Sequence, residues 1–256
     1  MSGFTAVVLA GSRGGAVDPV AAYAGVRHKG LIELNGETLL TRVLRALKAA
    51  GATRIGVSTD NEVVAAQLPK GVEQIASTAS PSLSVHQAAV ALGTPLLVTT
   101  VDHALLQPEW VRQFIDATPA DADIAVLLAP EAVVRMAAPQ TERTYLKFRD
   151  GRYSGCNLFL LRTPKALAAV DLWRRVEAYR KQPWRIALLM GPRMLVGYAT
   201  GRLTLDAAID LIGRRAGVKA AAVRTPYGLA AVDVDKPADL DLVRHIVDAS
   251  ARPLND

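Results

Sequence analysis

Three groups of residues in this chain have the types and spacing to do chemistry on a phosphate. The first is a glycine cluster closing an apolar run: residues 5–10, TAVVLA, lead into Gly11-Ser12-Arg13-Gly14-Gly15. Glycines let backbone N–H groups approach phosphate oxygens without interference from a Cβ. A guanidinium at Arg13 would add bidentate charge to the same oxygens. Leu9, Ala10, Gly11, Ser12 and Gly14 are therefore candidate ligand-binding positions, with Arg13 a candidate catalytic one. A tight structural turn would use the same glycines. The spacing is neither the dinucleotide fingerprint nor the G-x-x-x-x-G-K-[ST] loop.

The second group is Lys29, 18 residues beyond Gly11 and just before the strand candidate LIEL. A lysine returning to a sheet edge could neutralise a polyphosphate; a solvated surface lysine is the plainer reading. The third group is acidic. Asp102 follows the apolar run TPLLVTT with one valine between. The C-terminal ends of parallel strands form the ligand edge of open sheets, and a carboxylate there is expensive unless solvated, paired or bound to metal. Mg²⁺ prefers oxygen donors and substrate phosphates, so Asp102 is a candidate metal ligand and catalytic residue, with helix capping the alternative. Asp233 and Asp235, in AAVDVDKPADL, have i,i+2 spacing. On an extended segment that puts both on one face, where two like charges imply a shared cation or solvent. Pro237 and Asp239 read as helix-start residues.

Two weaker groups complete the set. Ser82 and Ser84 precede a helical pattern and could bind base or phosphate, or act as ordinary capping residues. Gly155 and Asn157 flank Cys156 on a strand candidate. The glycine allows close ligand approach, and Asn157 could hold an acceptor hydroxyl. Cys156 reads as a small core residue, since nothing near it would activate a nucleophile.

These residues need a frame. Strand patterns at 54–58, 72–77, 95–100 and 123–129 alternate with helical ones at 38–50, 61–67, 82–92 and 108–117. That order predicts a mostly parallel α/β sheet with helices on both faces. Residues 16–28 read as a long loop. Residues 143–162 read as two strands around Asp150-Gly151, helical patterns cover 164–181 and 204–214, and a last helix spans 237–249. The expected organisation is one domain over 1–250, its nucleotide-binding part about 1–130 and its acceptor region about 131–228, with a tail at 251–256. The segment 171–185, DLWRRVEAYRKQPWR, joins an apolar stripe to a positive face. That face suits an anionic acceptor, a lipid head group or solvent, while Trp173 and Trp184 read as packing residues.

The chain has 256 residues, half of them apolar and 21% charged, which argues against disorder. Its formal charge of +6 suits phosphate-rich ligands, but no long basic tract occurs and aromatics are 5%, so nucleic acid is not the expected partner. One cysteine excludes an internal disulfide. No leader or transmembrane-length apolar run is evident, so a cytoplasmic location is expected, with peripheral membrane contact left open.

VVLAGSRGG at 7–15, His28-Lys29-Gly30-Leu31, Asp102 and DVDKPADL at 233–240 resemble the MobA-like nucleotidyltransferases. That family includes molybdenum-cofactor guanylyltransferases, isoprenoid-pathway cytidylyltransferases and sugar-phosphate nucleotidyltransferases. The resemblance implies a Rossmann-like, glycosyltransferase-A-type fold with an NTP and Mg²⁺ as reaction partners. It gives Gly11, Ser12, Arg13 and Gly14 to the nucleotide loop, Lys29 to the triphosphate and Asp102 to the metal. Asp233 takes the other metal-side position, and Asp235 lies two residues on. The family's usual loop is closer to LAGG-x-G-x-R; here Ser12 replaces the second glycine and Arg13 comes early. The reaction implied is transfer of a nucleoside monophosphate to a phosphorylated small-molecule or lipid-precursor acceptor, with release of pyrophosphate. A glycosyltransferase using a sugar nucleotide and a non-catalytic nucleotide sensor are the rival readings.

Overall fold

The structure, a computed structural model, describes residues 3–11, 18–179 and 181–251. Strands in chain order are β1 (Phe4–Leu9), β2 (Glu33–Leu34), β3 (Glu37–Thr38), β4 (Ala52–Thr59), β5 (Val72–Ala76), β6 (Leu96–Thr100), β7 (Ile124–Pro130), β8 (Leu146–Phe148), β9 (Gly151–Leu161) and β10 (Ala220–Arg224). Helices are α1 (Pro19–Tyr23), α2 (Leu39–Ala50), α3 (Glu62–Ala65), α4 (Pro81–Leu92), α5 (Pro108–Ala117), α6 (Glu131–Ala137), α7 (Leu167–Ala178), α8 (Pro183–Met190), α9 (Pro192–Ala199), α10 (Leu205–Ala216) and α11 (Pro237–Ala251). Short 3₁₀ turns occupy Lys29–Leu31, Pro164–Ala166 and Gly228–Ala231.

The main sheet runs β10-β7-β9-β6-β1-β4-β5, with β8 paired to β9 outside that path. Pairs β1–β4, β1–β6, β4–β5 and β10–β7 are parallel. Strand β9 runs antiparallel to both β6 and β7. The sheet is therefore mixed, more so than strand–helix alternation predicts. The reason is local: β8 turns at Asp150-Gly151 into β9, which enters from the C-terminal edge and fills the space between β6 and β7.

Side-chain alternation puts Ala6 and Val8 of β1 into one core and Val7 into another, so both faces need cover. Leu39, Leu40, Val43 and Leu47 of α2, Phe114 of α5 and Val243 of α11 fill the first core. Val85 and Ala88 of α4 and Val170 of α7 fill the second. Helices on both faces agree with the expected class.

Several local outcomes differ from the sequence reading. Residues 16–28 are not all loop: Asp18 caps α1, its Oδ1 accepting from Val20 N at 2.9 Å and Ala21 N at 3.1 Å, with Pro19 in the first turn. Helices α6, α8 and α9 were not foreseen. Trp173 packs, its ring stacked on Phe159 at 6.2 Å, but Trp184 is exposed rather than buried.

Candidate active site

The C-terminal edge of the sheet is where the acidic and basic candidates meet. Beyond β6, Val101 N donates to Leu9 O at 3.0 Å, tying this chain to the end of β1. Val234 N donates to Asp102 O at 3.1 Å, docking the 232–235 segment on the other side. The backbone of Asp102 is thus held between β1 and the segment that carries Asp233 and Asp235.

Lys29 arrives on its 3₁₀ turn. His28 Nδ1 accepts from Gly30 N at 3.0 Å and closes the turn. Gly30 is packed so tightly that a Cβ would stand 2.9 Å from Val101 Cγ2 and 3.1 Å from His28 Nδ1. That approach delivers Lys29 Nζ onto Asp102 Oδ2 as a hydrogen-bonded ion pair, and to 3.6 Å from Asp235 Oδ1. Thr100 donates its hydroxyl to the other Asp102 oxygen. Burial opposes charge on both partners of the pair. Lys29 and the Thr100 hydroxyl outweigh it at Asp102 and hold its pKa below the usual carboxylate range. Asp102 likewise outweighs burial at Lys29 and raises its pKa. Both are charged at neutral pH.

A second ion pair stands beside the first. Asp233 accepts from Arg143 and, at 2.6 Å, from Asn157 Nδ2. Arg143 comes from the loop between α6 and β8, and the sequence reading missed it; an arginine in a polar loop carries no motif. Its pKa stays raised because Asp233 outweighs burial. Asn157 sits at a bulge in β9 with φ +49°, the left-handed region that asparagine tolerates. Asp235 is the odd charge out: half-exposed, with burial and the nearby Asp233 and Asp102 raising its pKa. Asp239, the expected helix-start residue, accepts from Asp235 N at 3.2 Å and Lys236 N at 2.9 Å and fixes this turn.

The remaining candidates divide. Leu9 and Ala10 end β1 at this edge, Ala10 N donating to Ser58 O at 2.8 Å, and Gly11 is exposed just beyond. Ser12, Arg13 and Gly14 lie outside the described residues. Gly155 is exposed on β9, opposite Leu128. Ser82 and Ser84 are buried and engaged elsewhere. Ser82 donates to Glu177 Oε2 at 2.5 Å, and Ser84 Oγ accepts from Thr78 N at 3.1 Å. Cys156 is buried, and burial pushes its thiol up to about 12, which suits a core residue. His103, next to Asp102, is fully enclosed, and burial pushes its pKa down to about 4. It is neutral at physiological pH.

Among the described residues no three His, Cys, Asp or Glu side chains converge as a ready-made metal cage. Asp102 and Asp235 nevertheless offer carboxylate oxygens on either side of Lys29, and burial, with Asp233 and Asp102, raises the pKa of Asp235. That donor set fits Mg²⁺, which takes one or two carboxylates and completes its shell with phosphate and water.

Residues 6–186 match the model of the MobA-like NTP transferase domain, and the chain belongs to that family. Its class of chemistry is nucleotidyl transfer from an NTP. The fold is similar to that of a hypothetical transferase from Thermus thermophilus, with TM-score 0.78 and 33% identity over 92% of this chain and 98% of that one. It also resembles a nucleotidyl transferase from Methanothermobacter (TM-score 0.55, 20% identity, 96% and 98% of the two chains). A third likeness is to 2-C-methyl-D-erythritol 4-phosphate cytidylyltransferase, again from Thermus thermophilus (TM-score 0.52, 17% identity, 96% and 99%). The last two, at low identity, speak for the fold alone. No curated protein matches the sequence. Among the described residues no helix is long and apolar enough to cross a membrane.

Proposed function

We propose that this protein transfers a nucleoside monophosphate from an NTP to a phosphorylated acceptor. The observation that carries the reading is the paired arrangement Lys29–Asp102 and Arg143–Asp233, side by side at the ligand edge with Asp235 between them and solvent. An acceptor phosphate oxygen forms a bond to the α-phosphorus, the bond to the bridging oxygen breaks, and pyrophosphate leaves with the electron pair. The acceptor phosphate is already anionic, so no protein base is required, and neutral buried His103 is not needed as one.

Lys29 binds the triphosphate, and its ammonium offsets charge as the leaving group departs. Arg13, with Ser12, Gly14 and the backbone of Leu9 to Gly11, cradles the phosphates, as the family resemblance implies. Asp102 and Asp235 hold Mg²⁺, with Asp233 the neighbouring carboxylate. When bound, that ion neutralises the reacting phosphates and orients them for in-line displacement. Arg143 and Asn157 hold the acceptor from the β9 side, within the acceptor region 131–228. Gly155, exposed on β9, flanks the approach to the acceptor, whereas Ser82 and Ser84 are buried against Glu177 and Thr78 and take no ligand role. Support for an acceptor phosphate comes from Arg143, a guanidinium beside the site whose planar fork suits a phosphate.

The test is a screen of the four common NTPs against phosphorylated acceptors with Mg²⁺, read by pyrophosphate release. Turnover that depends on both substrates and disappears on chelation is expected. Undiminished turnover after metal removal overturns the Mg²⁺ role. NTP binding without pyrophosphate release overturns transfer in favour of a sensor, and turnover of sugar nucleotides alone overturns it in favour of glycosyl transfer.

A further inference from the structure

Between Glu177 and Asp206 the chain has no acidic residue, while Arg180, Lys181, Arg185, Arg193 and Arg202 supply five positive charges. This stretch contains the helix pair α8 and α9. Arg215 of α10 anchors the end of α8, donating to Leu189 O at 2.9 Å and Leu188 O at 3.3 Å. The end of α9 meets the rest of the molecule through Tyr198, whose ring stands edge-on to Phe148 at 6.1 Å. No residue of α9 is fully buried.

The outer surface of the pair is apolar as well as basic. Trp184 is 59% exposed, Leu188 68% and Val196 61%, and Leu195 and Tyr198 are exposed with them. Trp184 and Leu188 are four residues apart and so share one face of α8. The other large exposed apolar side chains among the described residues, Tyr23, Val90, Met136 and Leu146, lie singly on four different elements. Only the α8–α9 surface gathers such residues, and gathered exposure of this kind marks a contact surface.

Charge decides what covers it. A two-fold contact between copies would set this basic stretch against itself, with no carboxylate within it to alternate with. A nucleic acid would take the arginines but leave Leu188, Leu195 and Val196 without an apolar phase. An anionic bilayer accepts both parts: apolar side chains enter the acyl boundary while the basic residues stay at the head groups. The Arg185 guanidinium lies 5.1 Å above the Trp184 ring, joining charge and aromatic surface as an interfacial site requires. We propose that the α8–α9 pair docks this protein peripherally on anionic phospholipid membranes, independently of the nucleotide site.

The test is co-sedimentation of the full chain with phosphatidylcholine vesicles, with and without about a third of phosphatidylglycerol. Binding to the anionic vesicles is expected to exceed binding to the neutral ones by at least about 10-fold and to weaken as salt rises above about 0.1 M. Arg185→Gln and Arg193→Gln should each weaken it by roughly fivefold. A Trp184→Ser/Leu188→Ser/Val196→Ser variant should lose it while keeping the wild-type unfolding curve, since all three side chains face solvent. In the wild type, tryptophan emission should shift to the blue on vesicle addition, and Trp184→Phe should abolish the shift while retaining binding. Equal partition to neutral and anionic vesicles, or none to either, overturns the proposal. So does a dimer that the triple variant dissociates without any vesicle binding, or binding to an oligonucleotide that the triple variant leaves unchanged while vesicles are ignored.

Discussion

The two ion pairs at the sheet edge are built alike and held differently. Each hangs on a short 3₁₀ turn seated by a glycine. Lys29 leads its turn and Gly30 seats it against a side chain, Val101. Asp233 follows the Gly228–Ala231 turn, and Gly228 seats it against backbone: a Cβ there would stand 2.2 Å from Val133 O on α6. The first pair also has its carboxylate on the rigid exit from β6, whereas the cation of the second, Arg143, comes from an irregular loop. On the proposed roles, the nucleotide side is preorganised by the sheet, while the acceptor side is fixed at its carboxylate and carries its cation on a loop.

The strongest way to break that comparison is at Asp102. Asp102→Asn strands the Lys29 charge in a buried setting, so unfolding stability should fall by about 3 kcal/mol. Catalysis should fall by roughly 10²-fold or more, about 2.7 kcal/mol. The sequence makes Asp102 a candidate metal ligand and catalytic residue; the ion pair adds a cost to the fold, because Asp102 has a buried partner to abandon. A Lys29→Met/Asp102→Asn double variant should recover much of the stability and none of the activity. Urea titration beside turnover checks both, and an additive double variant would show the pair to be uncoupled.

The glycines give the next largest effect. Gly228→Ala must move the backbone of α6 and should destabilise by roughly 3 kcal/mol. Gly30→Ala displaces side chains only, a valine methyl and the His28 ring, and should lose about 1 kcal/mol, but with a larger loss of NTP affinity, since Lys29 moves with the turn. If thermal unfolding ranks the two variants the other way, seating against backbone is not what fixes the acceptor side.

That contrast also explains how far the sequence could be read. Asp102 stands just beyond a strong apolar run, so its place at the sheet edge was legible; Lys29 lies on a 3₁₀ turn rather than before a strand of the main sheet, and the family resemblance marked it where periodicity did not. Asp233 and Asp235 were visible as an i,i+2 pair, but they do not share one environment: Asp233 is buried against Arg143 and Asn157, and Asp235 is half-exposed near Lys29. Gly228 and Arg143 were not visible, because their roles are set by contacts 90 or more residues away that leave no local pattern. The antiparallel entry of β9 was hidden likewise: its hairpin with β8 was legible, but its insertion between β6 and β7 is a matter of sheet order. Ser82 is a different case. Its spacing suited a ligand as well as a cap, and in the fold it meets Glu177 of α7, a long-range partner no capping pattern announces.

Arg143 sharpens the comparison from the other side. Arg143→Gln keeps a donor for Asp233 and removes the charge offered to an acceptor. The acceptor kcat/KM should fall by about 10-fold, or 1.4 kcal/mol, while NTP affinity stays within about twofold. Steady-state kinetics with each substrate varied in turn separates the two. Equal losses for NTP and acceptor would show that both pairs serve the nucleotide.

The smallest effect belongs to Asp235, which touches the first pair and repels the carboxylates of both. Burial, then Asp233 and Asp102, raise its pKa above the ordinary 3.8, so the folded protein disfavours its ionised form. The sign follows from linkage. A carboxylate with a raised pKa in the fold destabilises at pH values above that pKa, and it contributes nothing below 3.8, where it is protonated in both states. Removing its charge should therefore stabilise the free protein at pH 7 and leave stability unchanged at pH 3. Because the side chain is half-exposed, screening limits the gain to a few tenths of a kcal/mol. The Lys29 ammonium at 3.6 Å works against the gain, which is why it is small. Mg²⁺ reverses the order: a bound cation relieves the repulsion, so adding it should raise the Tm of the wild type more than that of Asp235→Asn. Differential scanning fluorimetry at both pH values, with and without Mg²⁺, reads all four quantities. A variant less stable than wild type at pH 7 without Mg²⁺ would mean that Asp235 belongs to the Lys29 ion pair rather than to the metal, and the two halves of the site would then be more alike than the geometry implies.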